Sequence, residues 1–521
     1  MRATEQAREL VNRLLAAGTT DVVVAPGSRS GPLARAAAAA DAQRRLRLHV
    51  RVDEREAGFL ALGLAKVTGR LTPVITTSGT AVANLHPALL EALHSSVPLF
   101  AVTADRPARL RGTGANQTTV QPGIFPGVLT LAGVDDIGPA FRGPAHLNIE
   151  LDEPLTESVE WDFPASSDPF DGPPSDELTT LAPGPRTLVI AGDRSGRRAR
   201  QAAEAAGWPL LAEPSSGSRT GPALSGGRLL LGHGSLVDEI ERVVSFGHPT
   251  LSRAVTSLLA RDIEIVHVGS QATFPVPAGP NVTFVEGVDV SGPDDPAWLQ
   301  RWQTADAAVR EAATDVLDAL GPAADPLRVA RDVWAAVPPE GLLVVGPSNP
   351  VRDLDIMAAP FPVGERRKVV SNRGLAGIDG VLSTAIGSAL GRQSSRAFAY
   401  VGDLTFLHGS NGLMIGPDEP RPDLTIVVVN DDGGSIFAGL EQGGPEFADS
   451  FERVFGTPTG IDLGALCAAF GVAHRRVDVG ALPRALAGPV AGLEVIEVPV
   501  PRDSRRYLSD ALSEAVAIRL R

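Results

Sequence analysis

Residues 396–434 read RAFAYVGDLTFLHGSNGLMIGPDEPRPDLTIVVVNDDGG, and two apolar runs within them decide the fold. AFAYVG and LTIVVVN are short, almost wholly apolar and rich in β-branched or aromatic residues, which is the composition of strands covered on both faces of a parallel sheet. Each runs straight into an acid, Asp403 and then Asp431. Residues 72–107, TPVITTSGTAVANLHPALLEALHSSVPLFAVTADRP, repeat the same order of strand, small-residue turn, helix, proline, strand and acid at nearly the same length. Two related α/β domains are therefore expected in the outer thirds of the chain.

Moving outward, two Pro/Gly/Ser-rich stretches interrupt the alternation of strands and alanine-rich helices. FPASSDPFDGPPSDELTTLAPGPR covers 163–186, and GPAADP covers 321–326 after a long helix that begins near Trp298. Read as linkers, they divide the chain into 1–165, 185–320 and 327–521. The middle part opens with RTLVIAGDRSGRRARQAAEAAGWPLLAEP, another β-α-β unit, but it has no G-x-G-x-x-G turn and reads as a structural domain. The expected fold class is α/β, with three doubly wound parallel-sheet domains.

Composition narrows the function. With 521 residues, 43% of them hydrophobic, the chain is long enough for several cores. Its net charge of −14 gives no general attraction to nucleic acid or an anionic membrane, so any anionic ligand must be held by local groups. A single cysteine, Cys467, excludes a disulfide framework and fits a reducing cytoplasm. No apolar run is long enough for a membrane span, and the first helix is amphipathic. Lys66 and Lys368 are the only lysines among 47 basic residues, a bias that GC-rich codon usage alone would produce.

Ligands of open parallel sheets sit beyond the carboxyl ends of the strands, so Asp403 and Asp431 can converge on one point. With the main-chain carbonyl of Gly433 they offer three oxygens to a divalent cation such as Mg2+, which usually completes its shell with water and phosphate. The exposed amides of Gly402, Gly433 and Gly434 suit a phosphate close to the backbone. A cation holding a diphosphate is the chemistry these residues predict. In LHVRVDEREAGFLALGLAKVTG, a third carboxylate, Glu54, opens a helix too apolar all round to lie on a surface, and it is expected to enter the interior.

The run from GDLTFL to NDDGG resembles the cofactor motif of thiamine-diphosphate enzymes, with Leu404 in place of the motif's third-position glycine and Asp431 in place of its second asparagine. Within that superfamily, APGSRSGPL, VDEREAGFLALGLAK, TSGTAVANLHPALLEA, ADRP, GTGANQTTVQPG, SNRGLAGIDGVLSTAIG and NDDGGSIF resemble, in order, the menaquinone-pathway synthases that make 2-succinyl-5-enolpyruvyl-6-hydroxy-3-cyclohexene-1-carboxylate. The middle third matches only weakly.

That resemblance implies thiamine diphosphate with Mg2+ or Mn2+ as cofactors, and isochorismate and 2-oxoglutarate as substrates. It makes Glu54 the carboxylate that hydrogen-bonds the cofactor's pyrimidine. It gives cofactor contacts to Pro26, Thr77, Ile378, Gly402, Asp403, Leu404, Thr405, Gly433, Gly434 and Ser435, with Asp403, Asp431 and Gly433 as metal ligands. Ile378 would prop the cofactor in its bent form. The two substrates carry four carboxylates between them, for which planar guanidinium donors are suited: Arg29, Arg106, Arg352 and Arg373. Ser28, Asn116, Gln117 and Ser348 would supply polar substrate contacts, and Ile436 and Phe437 apolar ones, although each could instead serve a turn or the core. The family also implies a homodimer or homotetramer with active sites at subunit interfaces. His86, His94 and His408 receive no role, and the glycine-rich FAGLEQGGPEFADSFERVFG could be a lid or a plain surface loop. A different thiamine-diphosphate enzyme, a 2-oxo acid decarboxylase or an acetolactate-type synthase, would share the cofactor residues; a non-catalytic relative would lack Glu54 or the metal acids.

Overall fold

In the computed structural model, which describes residues 2–138, 143–167, 177–232 and 234–521, the apolar runs form parallel sheets flanked by helices. The first sheet contains β1 (Asp21–Val24), β2 (Arg47–Val50), β3 (Thr72–Thr76), β4 (Leu99–Asp105), β5 (Leu129–Leu131) and β6 (Ala145–Glu150). Its order is β2-β1-β3-β4-β6-β5, with neighbours parallel. The middle of the chain supplies β7 (Thr179–Leu181), β8 (Thr187–Ala191), β9 (Leu210–Ala212), β10 (Arg242–Phe246), β11 (Glu264–Val268), β12 (Val282–Val285) and β13 (Val288–Val290). They form a five-stranded parallel sheet, β12-β11-β10-β8-β9, and a β13-β7 pair.

The last sheet contains β14 (Leu342–Val345), β15 (Lys368–Ser371), β16 (Ala397–Gly402), β17 (Leu424–Asn430), β18 (Ala473–Arg476) and β19 (Leu493–Pro499). Its order, β15-β14-β16-β17-β19-β18, is the order of the first sheet repeated. The internal duplication expected from residues 72–107 and 396–434 thus extends over six strands. Two faces of apolar side chains explain why β17 is so uniformly hydrophobic: all of Leu424–Val429 is buried.

The chain gathers into two compact units. One holds the first sheet together with Gly374–Gln393 and Thr405–Leu424; the other holds the middle and last sheets. Within the first unit, helix Glu54–Thr68 is buried on every side from Glu56 to Ala65 because helix Val381–Gly391 lies directly on it. A Cβ at Gly63 would come 2.2 Å from the Thr384 carbonyl, and one at Gly387 would come 2.2 Å from that of Leu60, so both glycines are required by the crossing.

The middle sheet reverses its strand order between β8 and β10, where an open α/β sheet would place a ligand. Backbone fills that crevice here. Asp193 and His248 pair as a β-bridge, and a Cβ at Gly192 would meet the Pro249 nitrogen at 2.1 Å. The expected linker at 321–326 is a single 3-10 turn, Gly321–Ala324, joining helices Pro296–Leu320 and Asp325–Ala336. Arg328 fastens it by donating to the Gly321 carbonyl at 2.5 Å and to Asp325 at 2.8 Å. Residues 168–176 of the other expected linker lie outside the described residues.

Candidate active site

In the second unit, parallel pairing sets Gly402 of β16 beside Val429 of β17, so Asp403 and Asp431 emerge at the same sheet edge. Asp403 is only 3% exposed, and main-chain groups of Leu404 and Gly433 hydrogen-bond to it, yet its buried Oδ2 has no partner. Burial, and after it the charge of Asp431, push the Asp403 pKa up to about 7. Burial raises Asp431 as well, against a short hydrogen bond from the Ser435 hydroxyl, which in turn accepts from Asn349 at 2.7 Å. Two carboxylates close enough to repel one another, one with an orphaned oxygen, fit the oxygen donor set that a divalent cation takes.

The backbone around them is built for close approach. Gly433 has φ +148°, and a Cβ there would lie 2.1 Å from the Gly456 carbonyl, which also accepts the Gly434 amide at 2.7 Å. A Cβ at Gly402 would meet nothing within 4 Å, which leaves room for a ligand against the main chain. Among the described residues no group of three or more His, Cys, Asp or Glu side chains is placed to hold a metal. A cation would therefore depend on Asp403, Asp431, a main-chain oxygen such as that of Gly433, and the ligand's own oxygens, as a metal-bound diphosphate provides. Leu404 is half-buried in the short helix Asp403–His408, a conformation leucine adopts without strain, and Thr405 is buried in the same turn.

The same unit carries the arginines that follow the strand ends. Arg373 is 4% exposed; its Nη2 donates to Thr250 at 3.2 Å while its Nε has no partner. Burial pulls Arg352 down to about 10, helped by the charges of Arg373 and Arg228. Its Nη1 donates to the carbonyl of Ser348, a non-glycine residue at φ +69°. Buried Glu213, pushed up to about 8 by burial against the attraction of Arg373, keeps Oε2 unpartnered. Neither Glu213 nor Arg228 stood out in the sequence, where each is a single charge beside a short apolar run with no partner in view. Three like charges partly stripped of water favour an anionic ligand. Nearby, a cavity of about 310 Å3 is lined by Asn349, Arg352, Ser435 and Ile436, while Phe437 packs against Phe455 with ring centroids 5.6 Å apart.

In the first unit, the candidates also collect at the carboxyl ends of the strands. Pro26 and Ser28 are exposed after β1, and half-buried Arg29 donates to the Leu151 carbonyl at 3.0 Å. Thr77, buried after β3, is so close that a Cβ on Gly27 would reach it at 2.3 Å. Arg106 follows β4, and its Nε donates to the carbonyl of Asn116 at 2.7 Å, so these two positions are joined. Exposed Gln117 has φ +53°, and its carbonyl accepts from Ser78 at 2.8 Å. Beneath them a polar chain unnoticed in the sequence runs from Gln121 to Asn148 at 2.7 Å and from Asn148 to Asp105 at 2.9 Å.

Glu54 requires a correction. It opens helix Glu54–Thr68 as expected, but it is half-exposed in the chain, with a long 3.5 Å contact from Asn84. Glu56 is the residue that enters the interior. Its Oε2 lies 2.5 Å from the Ser383 hydroxyl, Arg55 approaches Oε1 at 3.2 Å, and burial raises its pKa to about 7. A second acid inside an all-round apolar helix was the available signal. Ile378 sits half-buried on the loop ahead of helix Val381–Gly391. Residues 437–456, the expected lid or loop, form short helical turns whose last residue, Gly456, holds the Gly433–Gly434 backbone.

Two family models match the chain: "Thiamine pyrophosphate enzyme, N-terminal TPP binding domain" over residues 5–124 and "Thiamine pyrophosphate enzyme, C-terminal TPP binding domain" over 354–489. A 2-succinyl-5-enolpyruvyl-6-hydroxy-3-cyclohexene-1-carboxylate synthase of Nocardioides sp. is 54% identical over 98% of this chain and 97% of its own length. Proteins of the same name from Kineococcus radiotolerans and Saccharopolyspora erythraea are 46% and 42% identical, each over 99% of this chain and 99% and 98% of their own. The duplicated sheets, the strained Asp403–Asp431 pair and this near-complete similarity agree: the chain belongs to the 2-succinyl-5-enolpyruvyl-6-hydroxy-3-cyclohexene-1-carboxylate synthase family of thiamine-diphosphate-dependent enzymes.

Proposed function

We infer that the chain is a thiamine-diphosphate-dependent transferase of menaquinone biosynthesis that takes 2-oxoglutarate and isochorismate to 2-succinyl-5-enolpyruvyl-6-hydroxy-3-cyclohexene-1-carboxylate and CO2. The observation that carries the reading is the Asp403–Asp431 pair at adjacent strand ends, in which Asp403 is buried with one oxygen unpartnered. When bound, thiamine diphosphate supplies the nucleophilic carbon and the electron sink that let a 2-oxo acid lose CO2 and react as a carbon nucleophile.

The chain's own residues bind, orient and neutralise. Asp403, Asp431 and the Gly433 carbonyl are proposed to hold Mg2+ or Mn2+, and the amides around Gly402, Gly434 and Ser435 the diphosphate. Glu54 would hydrogen-bond the pyrimidine ring, with Pro26 and Thr77 contributing to the same part of the site, and Ile378 would support the bound cofactor. Arg29, Arg106, Arg352 and Arg373 meet the substrate carboxylates; Ser28, Asn116, Gln117, Ser348, Ile436 and Phe437 shape the remaining contacts. Three domains at 1–165, 185–320 and 327–521 remain the proposed division. The enzyme is proposed to act as a homodimer or homotetramer in which Glu54 of one subunit serves the cofactor held by Asp403 of the partner subunit. No described helix is long and apolar enough to cross a membrane; a cytoplasmic location is proposed, in keeping with a chain whose single cysteine, Cys467, is buried and free.

Mass spectrometry of the reaction with thiamine diphosphate, Mg2+ and both substrates tests the reading. The coupled product, formed only when isochorismate is present, is expected. CO2 release that is indifferent to isochorismate, with no coupled product, would assign the chain to a different 2-oxo acid chemistry.

A further inference from the structure

The loop Gly374–Gly380, which follows Arg373 and carries Ile378, is gripped at its start by a buried carboxylate from a distant part of the chain. Glu91, on helix His86–His94 and 3% exposed, accepts the Gly374 amide on Oε1 at 2.9 Å and the Leu375 amide on Oε2 at 2.8 Å. Both oxygens are thereby committed to two successive backbone donors. Lys66, whose side chain is likewise 3% exposed, stands 3.2 Å from Oε1 as counter-ion. The loop also lies against the backbone of the helix: a Cβ on Gly374 would come 2.6 Å from the Glu91 carbonyl.

The far end of the loop is fixed by packing. Gly380 has φ +53°, and a Cβ there would reach the Phe59 ring at 2.1 Å. Between the two anchors, Ala376 holds φ +57°, a left-handed conformation that a non-glycine residue keeps only when its surroundings impose it. Lys66 and Phe59 both belong to helix Glu54–Thr68. A carboxylate removed from water needs such a set of charge-assisted bonds, and here two of the three partners are successive amides of one loop.

We propose that Glu91, with Lys66 as its buried counter-ion, is a positioning residue for the reaction: by gripping the Gly374 and Leu375 amides it sets the loop from Arg373 to Ile378, and so places one substrate-carboxylate donor and the residue that shapes the bound cofactor. The roles of Arg373 and Ile378 in this statement rest on the function proposed above. The grip itself does not.

Hydrogen exchange on the cofactor-free chain reads the grip directly. In the wild type the Gly374 and Leu375 amides are expected to be protected; free exchange there would overturn the proposal without any variant. In Glu91→Gln, and in Lys66→Met/Glu91→Gln, which removes the buried charges together and so preserves the fold, these amides are expected to exchange at least about tenfold faster, while strand Leu424–Asn430 keeps its protection. With cofactor and Mg2+ supplied, thiamine diphosphate affinity is expected to stay within about twofold of wild type, because Asp403 and Asp431 are untouched. The near-ultraviolet circular dichroism of the bound cofactor should weaken, and kcat/KM for the two carboxylate substrates should fall at least about tenfold. A folded variant with unchanged exchange, or one with faster exchange but wild-type dichroism and kinetics, would refute the positioning role. A wild type that keeps the protected amides but forms no coupled product would instead refute the proposed reaction and leave the grip standing.

Discussion

Replacing Glu56 by glutamine should stabilise the helix that carries Glu54, but only at neutral and alkaline pH. The Glu56 side chain is 1% exposed, and burial lifts its pKa from 4.5 to about 7 against the opposing pull of Ser383 and Arg55, with Asp53 adding to the rise. An acid whose folded pKa lies above its unfolded value favours the fold while both states are protonated, below about pH 4.5. That contribution is lost as the pH climbs through about 7, where the folded state must ionise a carboxyl that burial resists. A rise of this size is worth about 3 kcal/mol, on the order of a hundredfold in an opening equilibrium. Glutamine keeps the shape and can still bond to Ser383, but it does not titrate.

Unfolding of a chain this long is not one two-state event, so the measurement should be local. Native-state hydrogen exchange over Glu54–Thr68, taken as the ratio of variant to wild type at each pH, cancels the intrinsic pH dependence of exchange. The two proteins should match below about pH 4.5 and diverge as the pH rises through about 7, the variant becoming the better protected. A ratio that stays flat from pH 5 to 8 would show that Glu56 does not titrate in this range and that the buried site stabilises its ionised form.

Three further outcomes are expected. Asp403→Ala and Asp431→Ala should each abolish tight magnesium-dependent binding of thiamine diphosphate in calorimetry, whereas unchanged affinity in both would remove the metal from these residues. Arg106→Ala or Arg373→Ala should keep the cofactor but lose ~2–4 kcal/mol of transition-state stabilisation, read as kcat/KM, so wild-type kinetics in both would deny them a substrate role. Mixing Glu54→Gln with Asp403→Ala subunits should restore roughly a quarter of wild-type sites if subunits exchange freely; exchange seen by mass spectrometry without recovered activity would place both residues in one chain's site.

The fold was legible where both faces of an element are buried, because burial then writes itself into composition. β16 and β17 are almost wholly apolar, and their acids fall where the strands stop. The duplication was visible for the same reason, and the repeated six-strand order extends it. Less legible was which pieces pack together. Gly374–Gln393 lies deep in the C-terminal third of the sequence yet belongs to the unit of the first sheet, and the cause is a pair of reciprocal close contacts at Gly63 and Gly387. A glycine in an apolar helix announces that something approaches closely, but not what approaches.

The same limit separates the two kinds of site residue. Asp403, Asp431 and the glycines beside them could be singled out because each stands at the end of a recognisable element, where backbone geometry exposes it to a ligand. Glu56, Glu91 and Glu213 were passed over because their meaning depends on partners far along the chain: Ser383 for the first, the Gly374 and Leu375 amides for the second, Arg373 for the third. In the sequence an acid among apolar residues is only an unresolved cost, since a carboxylate leaves water solely for a counter-charge, a set of donors or a proton. Each of the three resolves it differently. Glu91 takes a cation and two amides; Glu56 and Glu213, with fewer donors, are held by burial near or above neutrality. Buried acids of this kind are therefore the places in the sequence at which long-range structure has to be sought, and in this chain two of the three lead directly to the loop and the arginine that the proposed chemistry needs.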